Sequence, residues 1–175
     1  FAAGRAGGWD NYDTSIISAG GGVYNRMAKS IALSPEAQAM LGLEESEVQP
    51  EVVVNHILKM DVDLLWNGGI GTYVKASNQT HSDADDRSNN PVRIDAPELK
   101  ARIIGEGGNL GMTQDARIEA DKHGVRLNTD FIDNSAGVDM SDHEVNLKIL
   151  LDPLVMKGEL TQVDRDSLLE QITEE

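Results

Sequence analysis

The clearest alternation of apolar and polar positions runs from Arg102 to Glu144. Residues 102–105, RIIG, form a short, mostly apolar run that stops at Glu106-Gly107-Gly108-Asn109. A run of this length bounded by glycines reads as a buried strand. Thr113 then offers a capping hydroxyl, and residues 114–123 carry Ala116, Ile118 and Ala120 with polar residues between them, which predicts a helix. Gly124 stands where a helix-ending glycine belongs, and Val125-Arg126-Leu127-Asn128 is a second short strand. Strand, glycine loop, helix, strand and polar loop make half of a doubly wound sheet. Ligands bind beyond the carboxyl ends of such strands, so both polar loops are expected to open on one edge.

The same reading extends along the chain. Ser34-Pro35-Glu36 combines a cap hydroxyl, a first-turn proline and an acid, which predicts a short helix ending at Gly42. Pro50 opens another, to about Met60, with Val53, Val54, Ile57 and Leu58 on one face. His56 within it lacks a metal-binding partner at helical spacing and reads as structural or exposed. Residues 63–67, DLLWN, predict a strand, followed by Gly68-Gly69-Ile70-Gly71-Thr72. Those glycines suit either a tight turn or a close approach to a ligand. Phe1 to Tyr12 reads as a loop with an exposed Trp9. Gly20-Gly21-Gly22 could cradle a phosphate, but it matches neither phosphate-loop pattern and reads as a flexible connection.

Residues 72–97 change character: KASNQTHSDADDRSNNP is almost without apolar residues. A mobile excursion that adds nothing to the core is expected there. Asp83, Asp85 and Asp86 with His81 lack the spacing and closing glutamate of an EF-hand loop. Asp142 to Leu151 predicts an amphipathic helix stopped by Pro153, and Asp164 is expected to cap a last helix to about Thr173. Between Asn128 and that first helix, Asp130, Asp133, Asn134, Asp139 and Ser141 crowd one loop, whose polar groups need water or a ligand. One domain spanning 1–175 is expected, with 152–175 as a helical extension.

Charge narrows the partners. The 175 residues carry a formal net charge of -15, which disfavours nucleic acid and anionic membrane. No cysteine is present, so disulfides and thiolate zinc sites are excluded. No apolar run approaches the roughly 20 residues of a membrane helix. A chain that begins FAAGRAGG, without Met or a signal pattern, reads as part of something longer.

WNGGIGTYVK, GEGGNLGMTQ and NTDFIDNSAGVDMSDHEVNLKILL, in this order, resemble the large NAD-specific glutamate dehydrogenases of bacteria. The likeness covers about Ser15 to Leu151. The last two motifs are also similar to the cofactor domain of ordinary hexameric glutamate dehydrogenases. The resemblance implies an α/β fold: a partial Rossmann-like parallel sheet flanked by helices. It implies NAD as cofactor and L-glutamate and 2-oxoglutarate as substrate and product, in a cytoplasmic, homo-oligomeric parent.

Residue by residue, the likeness implies that Asn67, Gly68 and Gly69 lie near the adenosine side of the cofactor. Glu106, Gly107 and Asn109 match the first cofactor loop, with Asn109 near the ribose. Asn134 would face the nicotinamide carboxamide, Val138 would pack beside the substrate, and Ser141 would hydrogen-bond the side-chain carboxylate of glutamate. Asp142 and His143 depart from the family's aromatics. From spacing alone, Asn134 or Ser141 could instead cap the following helix. The glycine fingerprint, the ribose-reading acid and the catalytic lysine and aspartate are not matched here, so no catalytic residue is assigned. The isolated chain is expected to be inactive. Two other readings stay open: a non-catalytic binding or interaction module, or a metal-dependent hydrolase using Asp133, Asp139, Asp142, His143 and Glu144. The second requires Asp139 and His143 to share a helical face.

Overall fold

The computed structural model describes residues 13–172. The loop expected at Phe1 to Tyr12, and Thr173, lie outside them. The chain divides into two compact units, one running through Asp130 and one from Phe131.

In the first unit the elements are β1 (Ile31–Ala32), α1 (Pro35–Leu41), β2 (Glu47–Val48), α2 (Pro50–Leu58), β3 (Leu64–Asn67), β4 (Val74–Lys75), β5 (Ile94–Asp95), β6 (Ile103–Glu106), α3 (Gln114–Lys122) and β7 (Arg126–Leu127). The helix signals hold. Ser34 Oγ accepts from the Ala37 N–H at 3.1 Å, and Gly42 closes α1 at φ 66°. Thr113 caps α3 in the same way, and Gly124 follows it at φ 90°. His56 is structural: its Nδ1 lies 2.9 Å from the Leu41 carbonyl, which ties α2 to the end of α1.

β3, β6 and β7 form a parallel sheet in that order, with Asn67 opposite Glu106 and Ile104 opposite Leu127. Parallel strands bring their carboxyl ends to one edge, as expected. Ile104 joins Val74, Ile94, Leu99, Met112, Ala116, Ala120 and Val125 in the core, with Leu65 and Leu127 packed against it. Side chains alternate across a sheet, so Leu64, Trp66 and Ile103 point the other way, and all three are exposed. Ala116 and Ala120 are completely buried, which lets α3 lie close to the strands. Ile118, one of the three apolar residues that marked this helix, is 46% exposed, whereas Arg117 is buried at 6%. Residues 113, 116, 117 and 120 share one helical face, and 118 falls outside it.

The segment from Thr72 to Pro97 corrects the expectation that it adds nothing to the core. β4 and β5 pair in parallel, and Val74, Ala76, Val92, Ile94 and Ala96 are all buried. The few apolar residues sit where the segment enters and leaves, and average composition hides them. Between the two ends, Arg93 serves as a polar centre with its side chain fully enclosed. Its Nε donates to the Thr72 carbonyl at 2.8 Å and its Nη1 to Asn90 Oδ1 at 2.6 Å. Nη1 also lies 3.1 Å from His81 Nδ1, which must accept, because a guanidinium only donates. Nη2 donates to the Asp86 carbonyl. The Asp86 carboxylate accepts from the Thr72 N–H at 2.8 Å and from Asn89 Nδ2 at 2.6 Å.

The second unit is helical, with α4 (Asp130–Asp133) beginning at its boundary, then α5 (Ser135–Met156) and α6 (Gln162–Ile172). Residues 130–141 are therefore not the expected loop. Pro153 lies inside α5 rather than stopping it. In the last turn a proline removes only one hydrogen bond. The stop comes from Gly158 at φ 73°, with Gly158 N–H donating to the Val155 carbonyl and Glu159 N–H to Leu154, a Schellman closure. Thr161, not Asp164, caps α6: its Oγ1 accepts from the Asp164 N–H at 3.1 Å.

Asp86 makes the first unit acid-sensitive. Hydrogen bonding from Asn89, above all, pulls its carboxyl from 3.8 down to about 2, against the opposing effect of burial. A depressed folded-state pKa contributes stability above the unfolded value that is lost as pH falls through the folded one. About 1–2 kcal/mol should therefore vanish between pH 3.8 and about 2. Urea titrations at stepped pH should show Asp86→Asn less stable than the parent near neutrality and the gap narrowing through that window. A gap of constant size would contradict the assignment.

Candidate functional site

The carboxyl edge of the parallel sheet is built by two glycine loops that touch. A Cβ on Gly108 would stand 2.1 Å from the Gly69 carbonyl oxygen, so the loops after β3 and β6 meet backbone to backbone. The Trp66 indole lies across Gly107, where a Cβ would be 2.4 Å from the ring. The Asn67 amide and the Glu106 carboxylate converge over Gly111, 2.2 and 3.0 Å from where its Cβ would be. Gly68, Gly69 and Asn109 are exposed at this edge, Asn67 and Gly107 are half-buried, and Glu106 is buried. Beside them Thr129 Oγ1 is buried without a hydrogen-bond partner.

Beneath the edge lies a buried ion network. Glu106 is 1% exposed, and Arg117 engages both its oxygens: Nε reaches Oε1 at 2.7 Å and Nη2 reaches Oε2 at 2.8 Å. Nη1 of the same arginine donates to Gln114 Oε1 at 3.1 Å, and Nη2 lies 3.4 Å from Asp130 Oδ1. Hydrogen bonding to Glu106 raises the guanidinium above its ordinary value, outweighing burial. Arg117 therefore stays charged at every physiological pH. Asp130 in turn accepts from the Leu110 N–H at 2.8 Å. One cation thus joins the end of β6, the first turn of α3 and the segment that follows β7.

In the second unit Asn134 stands at the N-cap position of α5, but its side chain makes no capping bond. Instead the amide leans over Gly137, where a Cβ would be 2.5 Å from Asn134 Oδ1. Because α5 begins at Ser135, residues 134, 138 and 141 fall at successive helical spacings of four and three. Asn134, Val138 and Ser141 therefore form one stripe at the start of a helix. Asn134 is buried, Val138 is 39% exposed and Ser141 is exposed. Ser141 lies well inside the helix, which removes the capping alternative for it.

Helical structure also gives the hydrolase reading its condition, since His143 Nε2 lies 3.7 Å from Asp139 Oδ1. Glu144, however, turns to Lys148 at 2.5 Å. Among the described residues no three His, Asp or Glu side chains converge on a metal position. His81 faces the Arg93 cation, and Glu36 packs against Gly20, an acid where a phosphate cradle would need positive charge. Sequence reasoning missed Arg117, Thr72 and the left-handed Leu110, and it counted Asp130 among the loop's polar groups without its part in this network. The available signal was a cation between Ala116 and Ala120 on a buried face, which demands an acid partner.

The family described as "Bacterial NAD-glutamate dehydrogenase, catalytic domain" matches residues 1–175. A Pseudomonas aeruginosa protein named NAD-specific glutamate dehydrogenase is 53% identical over 166 residues, covering 95% of this chain and 10% of its own length. Proteins of the same name from Halomonas elongata and Mycobacterium tuberculosis are 50% and 51% identical over 95% of this chain. The chain thus spans about a tenth of the length of the curated relatives it matches.

Removing one member of a buried ion pair leaves the other unpaired and costs about 3–5 kcal/mol. Arg117→Ala should therefore lower the urea midpoint far more than Ser141→Ala, whose exposed site should stay within about 0.5 kcal/mol of the parent. Equal midpoints for the two variants would remove the network from its structural role.

Proposed function

The chain belongs to the bacterial NAD-glutamate dehydrogenase family, as part of the catalytic domain, and from that premise we propose that it forms the nicotinamide-side portion of the active site of a glutamate-oxidising enzyme. In the parent reaction a hydride leaves the α-carbon of L-glutamate, and water hydrolyses the resulting imine to 2-oxoglutarate and ammonia. NAD, when bound, would supply the hydride acceptor. The observation that carries the reading is the stripe of Asn134, Val138 and Ser141 at the start of α5.

Each member of the stripe has chemistry suited to its part. Asn134 offers a donor and an acceptor in one amide, the complement of a carboxamide. Val138 gives an apolar wall. Ser141 offers a neutral hydroxyl to the distal carboxylate of glutamate, in the company of a protein already rich in acids. At the sheet edge, Asn109 is an exposed amide after the end of a parallel strand, where nucleotide ligands of this fold class sit. The orphaned Thr129 hydroxyl at the same edge supports a site that expects a further polar partner. Asn67, Gly68, Gly69 and Gly107 remain proposed neighbours of the cofactor. Glu106 is proposed to act through Arg117 rather than by touch, since both its oxygens are engaged.

A pyrophosphate seat is not evident among the described residues. The start of α3 is capped by Thr113 and carries Asp115 in its first turn, so its positive end is already satisfied and an anion there would meet an acid. The chain is therefore proposed to orient the reacting ends of substrate and cofactor, with binding energy and acid–base groups coming from the rest of the parent polypeptide.

Two measurements test this reading. In the full-length enzyme Ser141→Ala should raise the KM for glutamate on the order of ten- to a hundredfold, as expected for a lost hydrogen bond to a charged group, while leaving NAD binding intact. Unchanged glutamate kinetics would remove Ser141 from the site. The isolated chain mixed with glutamate and NAD should produce no NADH, and sustained turnover abolished by Asn134→Ala would show that the chain carries its own catalytic groups.

A further inference from the structure

Leu110 adopts φ 56°, a left-handed conformation that a branched side chain resists and glycine accepts. Of the described non-glycine residues, only Asp85 shares the feature. Glycines lie at 107, 108 and 111, so the loop places its strain on the one bulky residue rather than on a neighbour that would carry it freely. That residue is fixed at both of its peptide groups. Its N–H donates to Asp130 Oδ2 at 2.8 Å, and its carbonyl accepts from Thr72 Oγ1 at 2.7 Å. Asp130 is held by Arg117, and Arg117 by Glu106. Thr72 is held through its N–H by Asp86 and through its carbonyl by Arg93. Two separate buried arginine networks therefore end on the two peptide groups that flank one residue, directly after Asn109.

We propose that Thr72 and Asp130 are positioning residues that clamp Leu110 in its strained conformation and thereby present the Asn109 amide to the cofactor. Backbone strain persists only where surrounding contacts over-determine it, and it concentrates at ligand sites. Without the clamp Leu110 relaxes to an ordinary φ, and a rotation of that size at residue 110 swings Asn109 away from the sheet edge. The 72–97 segment thereby gains a function: its hydrogen-bonded ring carries the Thr72 hydroxyl to the loop after β6. The proposal rests on the reading that Asn109 contacts the cofactor.

The test uses the full-length enzyme and a cycle of variants. Asn109→Ala should raise the KM for NAD by about tenfold, the effect of one hydrogen bond, and raise the KM for glutamate far less. Thr72→Val, which removes the hydroxyl and keeps the shape, should raise the NAD KM several-fold, as should Asp130→Ala. In the Asn109→Ala background neither should add a further effect, because the amide they position is gone. Effects that multiply in that background would mean a general structural role and would overturn the proposal, as would an unchanged NAD KM in Thr72→Val. If Asn109→Ala itself leaves the NAD KM unchanged, the cofactor reading fails instead. Hydrogen exchange at the Leu110 amide then judges the clamp alone: faster exchange in Thr72→Val upholds it, and unchanged exchange sinks it.

Discussion

Arg117 and Glu106 bury opposite charges where water cannot reach them, and the sheet edge depends on that pair. A buried guanidinium is tolerable only when its donors are used, and here they reach Glu106, Gln114 and Asp130. The consequence is geometric more than energetic. An apolar residue at 117 could fill the same space, but it would not fix the direction of two carboxylates. The arginine ties the end of β6 and the segment that follows β7 to the first turn of α3, so the loops at the sheet edge are set by a charge network in place of a large apolar core.

The same strategy appears around a second arginine of the unit. Arg93 gathers the Thr72, Asp86, Asn90 and His81 groups into one ring. In a chain with 39% hydrophobic residues, two enclosed arginines organise stretches that would otherwise have little to bury. Both networks hold loops at the carboxyl edge. Polar residues that look like solvated linker in the sequence are therefore structural, and through Thr72 they reach the Leu110 carbonyl, next to Asn109.

The second unit contributes by helical spacing. Starting α5 at Ser135 converts a crowded polar segment into a ladder with Asn134, Val138 and Ser141 on one side. A helix holds such groups at fixed separation, whereas a loop would have to be ordered by the ligand at an entropic cost. Gly137 has a packing role here, because it leaves room for the Asn134 amide.

The sequence by itself determined the parallel strand–helix–strand unit, the caps at Ser34 and Thr113, the terminating glycines Gly42 and Gly124, and the family. These are local signals: a strand boundary, a cap or a motif is written in consecutive residues. Tertiary structure alone decided which polar residues are buried. Nothing near Arg117 or Arg93 in the sequence names Glu106, Asp130 or Thr72 as a partner, since those contacts join residues 11 to 21 positions apart. The left-handed Leu110 was illegible for the same reason: its conformation is imposed by two hydrogen bonds from distant residues, against its own preference. The helix over 130–141 was hidden differently: acids and a glycine lower intrinsic propensity there, but differences of up to about 1 kcal/mol per residue are small enough for a helix that continues to Met156 to absorb.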